Sequence, residues 1–259
     1  MTRSDWTELA CAVSLGTLPG MEILRERGTD VRIARVPCPE TGTAIVKCWN
    51  RPTWRGTLRR LSRSNIGYRE AEALRRLQTA PQAAPAPYAY LHFPRRGAAH
   101  TEALISSDLG PCADSTEAFK HLLQHDPPAA DAFEATLIQT TAAMVRQGLL
   151  DPDHRLPNFV VTPENHLVRI DFELCIPVRS VAAHPRLLGD MLGVLIGSHA
   201  FAVQPRVDRT AAFARRLADT LHPAPSAWDR ANRKVQAMLD RQRQQSGIDT
   251  QLTLPRLSP

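Results

Sequence analysis

The sequence predicts an α+β fold in two lobes, a small β-rich one followed by a helical one. Three observations carry that reading. From Met21 to about Trp49 apolar residues alternate with polar ones, the period of half-buried strands, and turn residues interrupt the pattern twice. From Ser115 onward apolar residues recur at helical spacing in longer segments. Between the two patterns lies EALISSDLG, an apolar run that closes in a polar turn. The lobes are expected to meet there, near Leu104 to Gly110, with residues 1–106 as N-lobe and 107–259 as C-lobe. Two such lobes would enclose a shared ligand cleft.

In the first lobe three segments read as an antiparallel meander: MEILRER, VRIARV and TAIVKCW. Turns at Gly28-Thr29-Asp30 and across Pro37 to Gly42 separate them. WRGTLRRLSRSNIGYREAEALRRLQ lacks proline and spaces its leucines helically, which predicts one or two helices. The proline- and alanine-rich TAPQAAPAPYAYLHFPRRGAAH predicts a loop leading into further strands. In the second lobe Ser115–Leu123 and Ala129–Gln147 are expected helices, and DPDHRLPN is a loop. FVVT and HLVRIDF pair as a hairpin around Pro163-Glu164-Asn165. From about His184 the chain reads as helical, ending in a polar tail, RQRQQSGIDTQLTLPRLSP, expected to fray.

Composition narrows the function classes. Of the 259 residues 43% are hydrophobic and 22% charged, a globular balance. Aromatics make up 5%, too few for a base-stacking surface, so nucleic acid is not the expected partner. Five scattered cysteines without a CxxC pair argue against a disulfide framework or a structural zinc, and for a reducing compartment. Asp5 and Glu8 interrupt what a signal peptide would need as an apolar core. The apolar run Leu187 to Val203 is too short to span a bilayer and is broken by Asp190 and His199. A soluble, cytoplasmic protein is expected. The net charge of +6 favours an anionic partner.

One ordered constellation carries chemistry. Phosphoryl transfer needs positioning and charge neutralisation more than covalent participation. The chain offers Lys47 after Ala-Ile-Val on the third strand and Glu70 on the helix that follows. A loop then supplies Asp153 and, five residues on, Asn158; Asp171 comes thirteen residues later beyond a hairpin. The same order is used by the protein-kinase fold for its strand lysine, helix glutamate, catalytic-loop aspartate and asparagine, and metal-binding aspartate. Lys47 and Gly28 would hold nucleotide, Asp153 would serve the acceptor hydroxyl, and Asn158 and Asp171 would bind metal. Glu72 stays open as the lysine's partner, and Asp151 as an alternative base.

The segments IVKCWNRPTWRGTLRRLSRS, YREAEALRRL and LPNFVVTPENHLVRIDFE resemble those of the lipopolysaccharide kinase (Kdo/WaaP) family, over roughly residues 20 to 195. The resemblance implies a two-lobed protein-kinase-like fold, ATP and Mg2+ as cofactors, and a sugar or glycolipid acceptor at the inner face of the inner membrane. The chain departs from the pattern at three places. DPD at 151–153 replaces an HRD-like triplet, Gly28 is the lone glycine of the nucleotide-covering turn, and Glu173 stands where DFG has glycine.

The basic stretch Arg51 to Arg63, flanked by Trp49 and Trp54, reads either as a solvated face or as a contact for anionic membrane. Small-molecule kinases of the aminoglycoside or choline type use the same parts. A pseudokinase would explain the altered loop, though not a complete set of metal-binding oxygens. No APE-type segment follows Asp171, which disfavours a protein-serine kinase.

Overall fold

A computed structural model describes residues 1–27, 30–39, 41–51, 65–79, 83–94, 100–246, 252 and 254–255. The chain forms two compact units: Met1–Thr79 with Ala84–Gly110, and Ala80–Ala83 with Pro111–Pro259.

The first unit opens with α1 (Arg3–Leu15), a helix that the strand pattern beginning at Met21 did not include. Its signal is a capping box: Thr2 Oγ1 accepts from the Asp5 amide at 3.3 Å, and the Thr2 amide donates to Asp5 Oδ2 at 2.7 Å. The expected meander follows as β1 (Glu22–Arg27), β2 (Val31–Cys38) and β3 (Gly42–Arg51). Next come α2 (Ile66–Leu77), β4 (Pro87–Pro94) and β5 (His100–Ser107). The sheet is antiparallel in the order β1-β2-β3-β5-β4. Part of the stretch read as a loop, YAYLHF, is thus a strand; its aromatic residues pack well on a pleated surface.

Period-two alternation divides β3 between two faces. Ala44, Val46 and Cys48 join Ala34, Val36 and Cys38 of β2 in a core closed by Trp6, Ala10 and Val13 of α1. Lys47 therefore points to the opposite face. There α2 packs against β4 and β5 and buries Gly67, Glu70, Ala73, Leu74 and Leu77, one helical stripe. Gly67 permits the approach, because a Cβ there would stand 3.0 Å from the Trp49 ring and 2.8 Å from the Glu102 carboxylate.

The second unit begins with β6 (Ala113–Asp114), α3 (Ser115–His125) and α4 (Pro127–Arg146), close to the expected helices. Asp114 and Asp126 cap the two helices by accepting from first-turn amides. Next come β7 (Leu149–Leu150), a 3₁₀ turn at Leu156–Asn158, and the hairpin β8 (Phe159–Val161) with β9 (Leu167–Arg169). After β10 (Ile176–Pro177) the chain is helical: α5 (Pro185–Val203), α6 (Val207–Leu221) and α7 (Pro225–Ser246).

Helix α5 is long and apolar enough to cross a membrane, but 78% of its most apolar window is buried inside the protein. It is a core helix. Its polar residues have partners: Asp190 accepts from Arg230 at 2.8 Å, and His199 Nε2 lies 2.9 Å from Glu134. Gly189, Gly193 and Gly197 recur every fourth residue along α5, and α7 lies against them. A Cβ at Gly189 would stand 2.5 Å from the Ala227 carbonyl. The tail expected to fray is in part docked. Leu252 and Leu254 are each 4% exposed, and Trp228 Nε1 donates to the Pro255 carbonyl at 2.8 Å. Two leucines in a polar stretch gain more from burial than the backbone there loses in freedom.

Candidate active site

In the first unit Lys47 Nζ donates to Glu70 Oε1 at 2.5 Å, with the side chains 16% and 3% exposed. Lys47 lies between Ile33 of β2 and Leu104 of β5, so the lysine is fixed at mid-sheet. Glu70 occupies the buried stripe of α2, where a carboxylate persists only with a partner. Glu72 faces elsewhere. It accepts from Arg75 and Arg76, and those bonds hold its carboxyl below the usual range. Glu70 is the lysine's partner. Gly28 lies outside the described residues, as does the basic stretch from residue 52 to 63.

In the second unit the loop after β7 places Asp153 and Asn158 together. Asn158 Nδ2 donates to Asp153 Oδ2 at 3.0 Å and to the Asp153 carbonyl at 2.7 Å. That orientation commits the amide nitrogen and leaves Oδ1 as the oxygen offered to a cation. Asp153 keeps 32% of its side chain exposed, and Arg155 Nε stands 3.1 Å from its Oδ1. Asp171 falls just past β9 rather than within a strand, because its backbone turns left-handed, at φ 59°. Aspartate tolerates that region better than most residues, and strain of this kind gathers at functional sites. The neighbours that hold it there are the Ile170 amide, bonded to the Asn158 carbonyl at 2.9 Å, and Phe172, fully buried.

Asp151, the alternative base, is excluded by its surroundings. It has no exposed surface, its Oδ1 accepts from the Asp153 amide at 2.8 Å and its Oδ2 from Arg169 at 2.7 Å. Burial pushes its carboxyl above the ordinary value, with the Arg169 charge opposing. Such a group cannot reach a ligand in solvent; Asp153, 32% exposed, can. His154 is equally buried. Its Nε2 lies 2.9 Å from the Thr141 hydroxyl, whose proton goes to the Leu137 carbonyl, so Nε2 is the protonated nitrogen. Burial holds His154 neutral, with its pKa well below the ordinary value.

Arg169 and Arg155 are the residues that motif spacing missed. The signal for Arg169 was its place between Val168 and Ile170: a cation within an apolar strand needs a buried partner. Among the described residues no group of three His, Cys, Asp or Glu side chains could hold a metal. Asn158 and Asp171 would supply two hard oxygens to a cation, the donor type that suits Mg2+. A cavity of about 660 Å³ elsewhere in this unit, between α3, α4 and the β8–β9 hairpin, contains none of these residues.

No family model matches the chain, and no curated protein matches it. Among solved structures, WaaP in complex with acyl carrier protein matches with a TM-score of 0.62 over 89% of this chain and 91% of WaaP. The chain has the WaaP fold. Sequence identity to WaaP is 19%, so the likeness establishes a kinase-like architecture and leaves the substrate to the site. The small antiparallel sheet and the helical second part, both expected from the sequence, are common to the fold.

Proposed function

We propose that this protein is a kinase that transfers the γ-phosphoryl group of ATP to a sugar hydroxyl of a lipopolysaccharide-core or related glycolipid. The support is twofold: the WaaP fold, and the lipopolysaccharide-kinase resemblance of the segments around Lys47, Glu70 and Asp171. The single observation that carries the chemistry is the arrangement around Asn158, whose amide is turned onto Asp153 while its oxygen remains available. In this reading Lys47, braced by Glu70, orients the α- and β-phosphates. Asn158 and Asp171 hold Mg2+, which neutralises charge on the phosphates. Asp153 accepts the proton of the acceptor hydroxyl, and Arg155 adds a positive charge beside it. The same reading puts the enzyme at the cytoplasmic face of the inner membrane, with the stretch from Arg51 to Arg63 against anionic lipid.

Thermal melting with ATP, with and without Mg2+, tests the nucleotide and metal assignments together. A kinase is stabilised by ATP and more strongly by MgATP, and in Asp171→Asn the added gain from Mg2+ shrinks while the gain from ATP alone is kept. A pseudokinase binds without transferring label from ATP to a core-glycolipid pool; a protein unmoved by either ligand is neither. An aminoglycoside- or choline-type enzyme would transfer label to a small amino sugar or amino alcohol and not to glycolipid.

A further inference from the structure

The altered DPD loop contains a buried ion pair to which motif spacing assigned no role. Asp151 stands where comparable loops carry histidine. Its partner Arg169 is the last residue of β9, on the second arm of the hairpin and two residues before Asp171. Neither side chain is more than 1% exposed. The guanidinium spans two elements. One terminal nitrogen donates to Asp151 Oδ2 at 2.7 Å and the other terminal nitrogen to the Asn158 carbonyl at 2.9 Å. Phe159 and Phe172 flank it, with ring centroids 5.6 Å and 5.1 Å from its central carbon. Asp151 in turn fixes the Asp153 amide at 2.8 Å, and the Asn158 carbonyl also accepts from the Ile170 amide at 2.9 Å. One chain of bonds therefore runs from the amide of Asp153 through Asp151 and Arg169 to Asn158 and the residue before Asp171.

We propose that Asp151 and Arg169 are positioning residues that set the loop bearing Asp153 and Asn158 in register with Asp171. Apolar side chains of similar volume could fill this space at little or no cost in stability, because desolvating two charges offsets most of their attraction. They could not aim two hydrogen bonds at separate backbone elements. Lysine could not either: its ammonium is a compact point charge, whereas guanidinium presents nitrogens in a fixed plane that also lies between two rings. This proposal rests on the assignment of ATP and Mg2+ above, since the geometry it preserves is that of their ligands.

The experiment compares the full chain with Asp151→Leu/Arg169→Met and with Arg169→Lys. Melting temperature is measured first, then ATP binding by calorimetry in EDTA and in Mg2+. The double variant should melt within a few degrees of the parent and bind metal-free ATP within about threefold of it. The tightening that Mg2+ confers on ATP should fall by about tenfold or more in both variants, since small displacements of positioned ligands carry penalties of this size. A double variant that keeps the parent's response to Mg2+ overturns the proposal, as does one that fails to fold, because the pair would then serve the fold alone. Full retention of the Mg2+ response in Arg169→Lys also counts against it. A parent with no Mg2+-dependent ATP binding overturns the kinase reading, and this proposal with it.

Discussion

Two ion pairs, one in each unit, differ in what they leave exposed. Lys47–Glu70 and Asp151–Arg169 are similarly short, at 2.5 Å and 2.7 Å. Lys47 keeps 16% of its side chain in contact with solvent, whereas Arg169 keeps none. A cation with an open side can share its charge with an arriving phosphate. A sealed cation can only hold its neighbours in place. Sequence position marks both residues as charges within apolar strands and does not separate them; burial does.

The largest effect that can test the contrast is catalytic. Asp153→Asn should lower phosphoryl transfer by about 10²–10⁴-fold, the usual loss of a general base, while ATP affinity stays within a few-fold of the parent. Lys47→Met should do the reverse, weakening ATP before it limits transfer. Titration of ATP and a labelled-transfer assay on the same preparations separate the two. If both variants fail in the same parameter, the division of roles is wrong.

Next in size is stability. Arg169→Met alone leaves the Asp151 carboxylate buried without its countercharge and should cost about 3–5 kcal/mol. Lys47→Met also strips a buried carboxylate, Glu70, of its lysine partner, but at a site that water reaches from the lysine's side, and its cost should be smaller, about 1–3 kcal/mol. Urea unfolding of the two variants would decide it, and equal losses would erase the distinction between open and sealed pairs.

The smallest effect concerns pH, and it extends the contrast to other sealed groups of the second unit. Burial lowers the pKa of His154 and of His199 below the ordinary histidine value, the latter despite its bond to Glu134. Both imidazoles are therefore neutral when folded and protonate more readily when unfolded. Their contribution is complete above the unfolded pKa, near 6.5, and is lost progressively as pH falls below it. Glu134, despite its own burial, is held below the ordinary carboxyl value by His199 and Arg209, and so adds a further loss at lower pH. The melting temperature should drop between pH 7 and pH 5, and the drop should be shallower in His199→Gln. A flat profile would mean that these groups reach solvent.

Much of the site was legible because its spacing is local. Asp153 and Asn158 sit five residues apart in one loop, and the preference for Glu70 over Glu72 came from the resemblance of its Arg-Glu pair to the family's; the structure pairs Glu70, on the buried stripe of α2, with Lys47. The meander, the second-unit helices and the β8–β9 hairpin were equally legible, since alternation and helical periodicity record which face is buried. The capping box of α1 was present but unread.

By itself, then, the sequence determined most element types, their order, and the identity of the chemical groups at the candidate site. Periodicity and spacing act within a few residues, and those features depend on nothing further away. Tertiary structure alone decided which of two nearby aspartates meets solvent, where the charge of Arg169 goes, and that leucines of the tail are buried. Each of these depends on residues far along the chain, such as Arg169 against Asp151, or Trp228 against Pro255. The energy of a charge depends on the dielectric around it, and only the packed fold sets that dielectric.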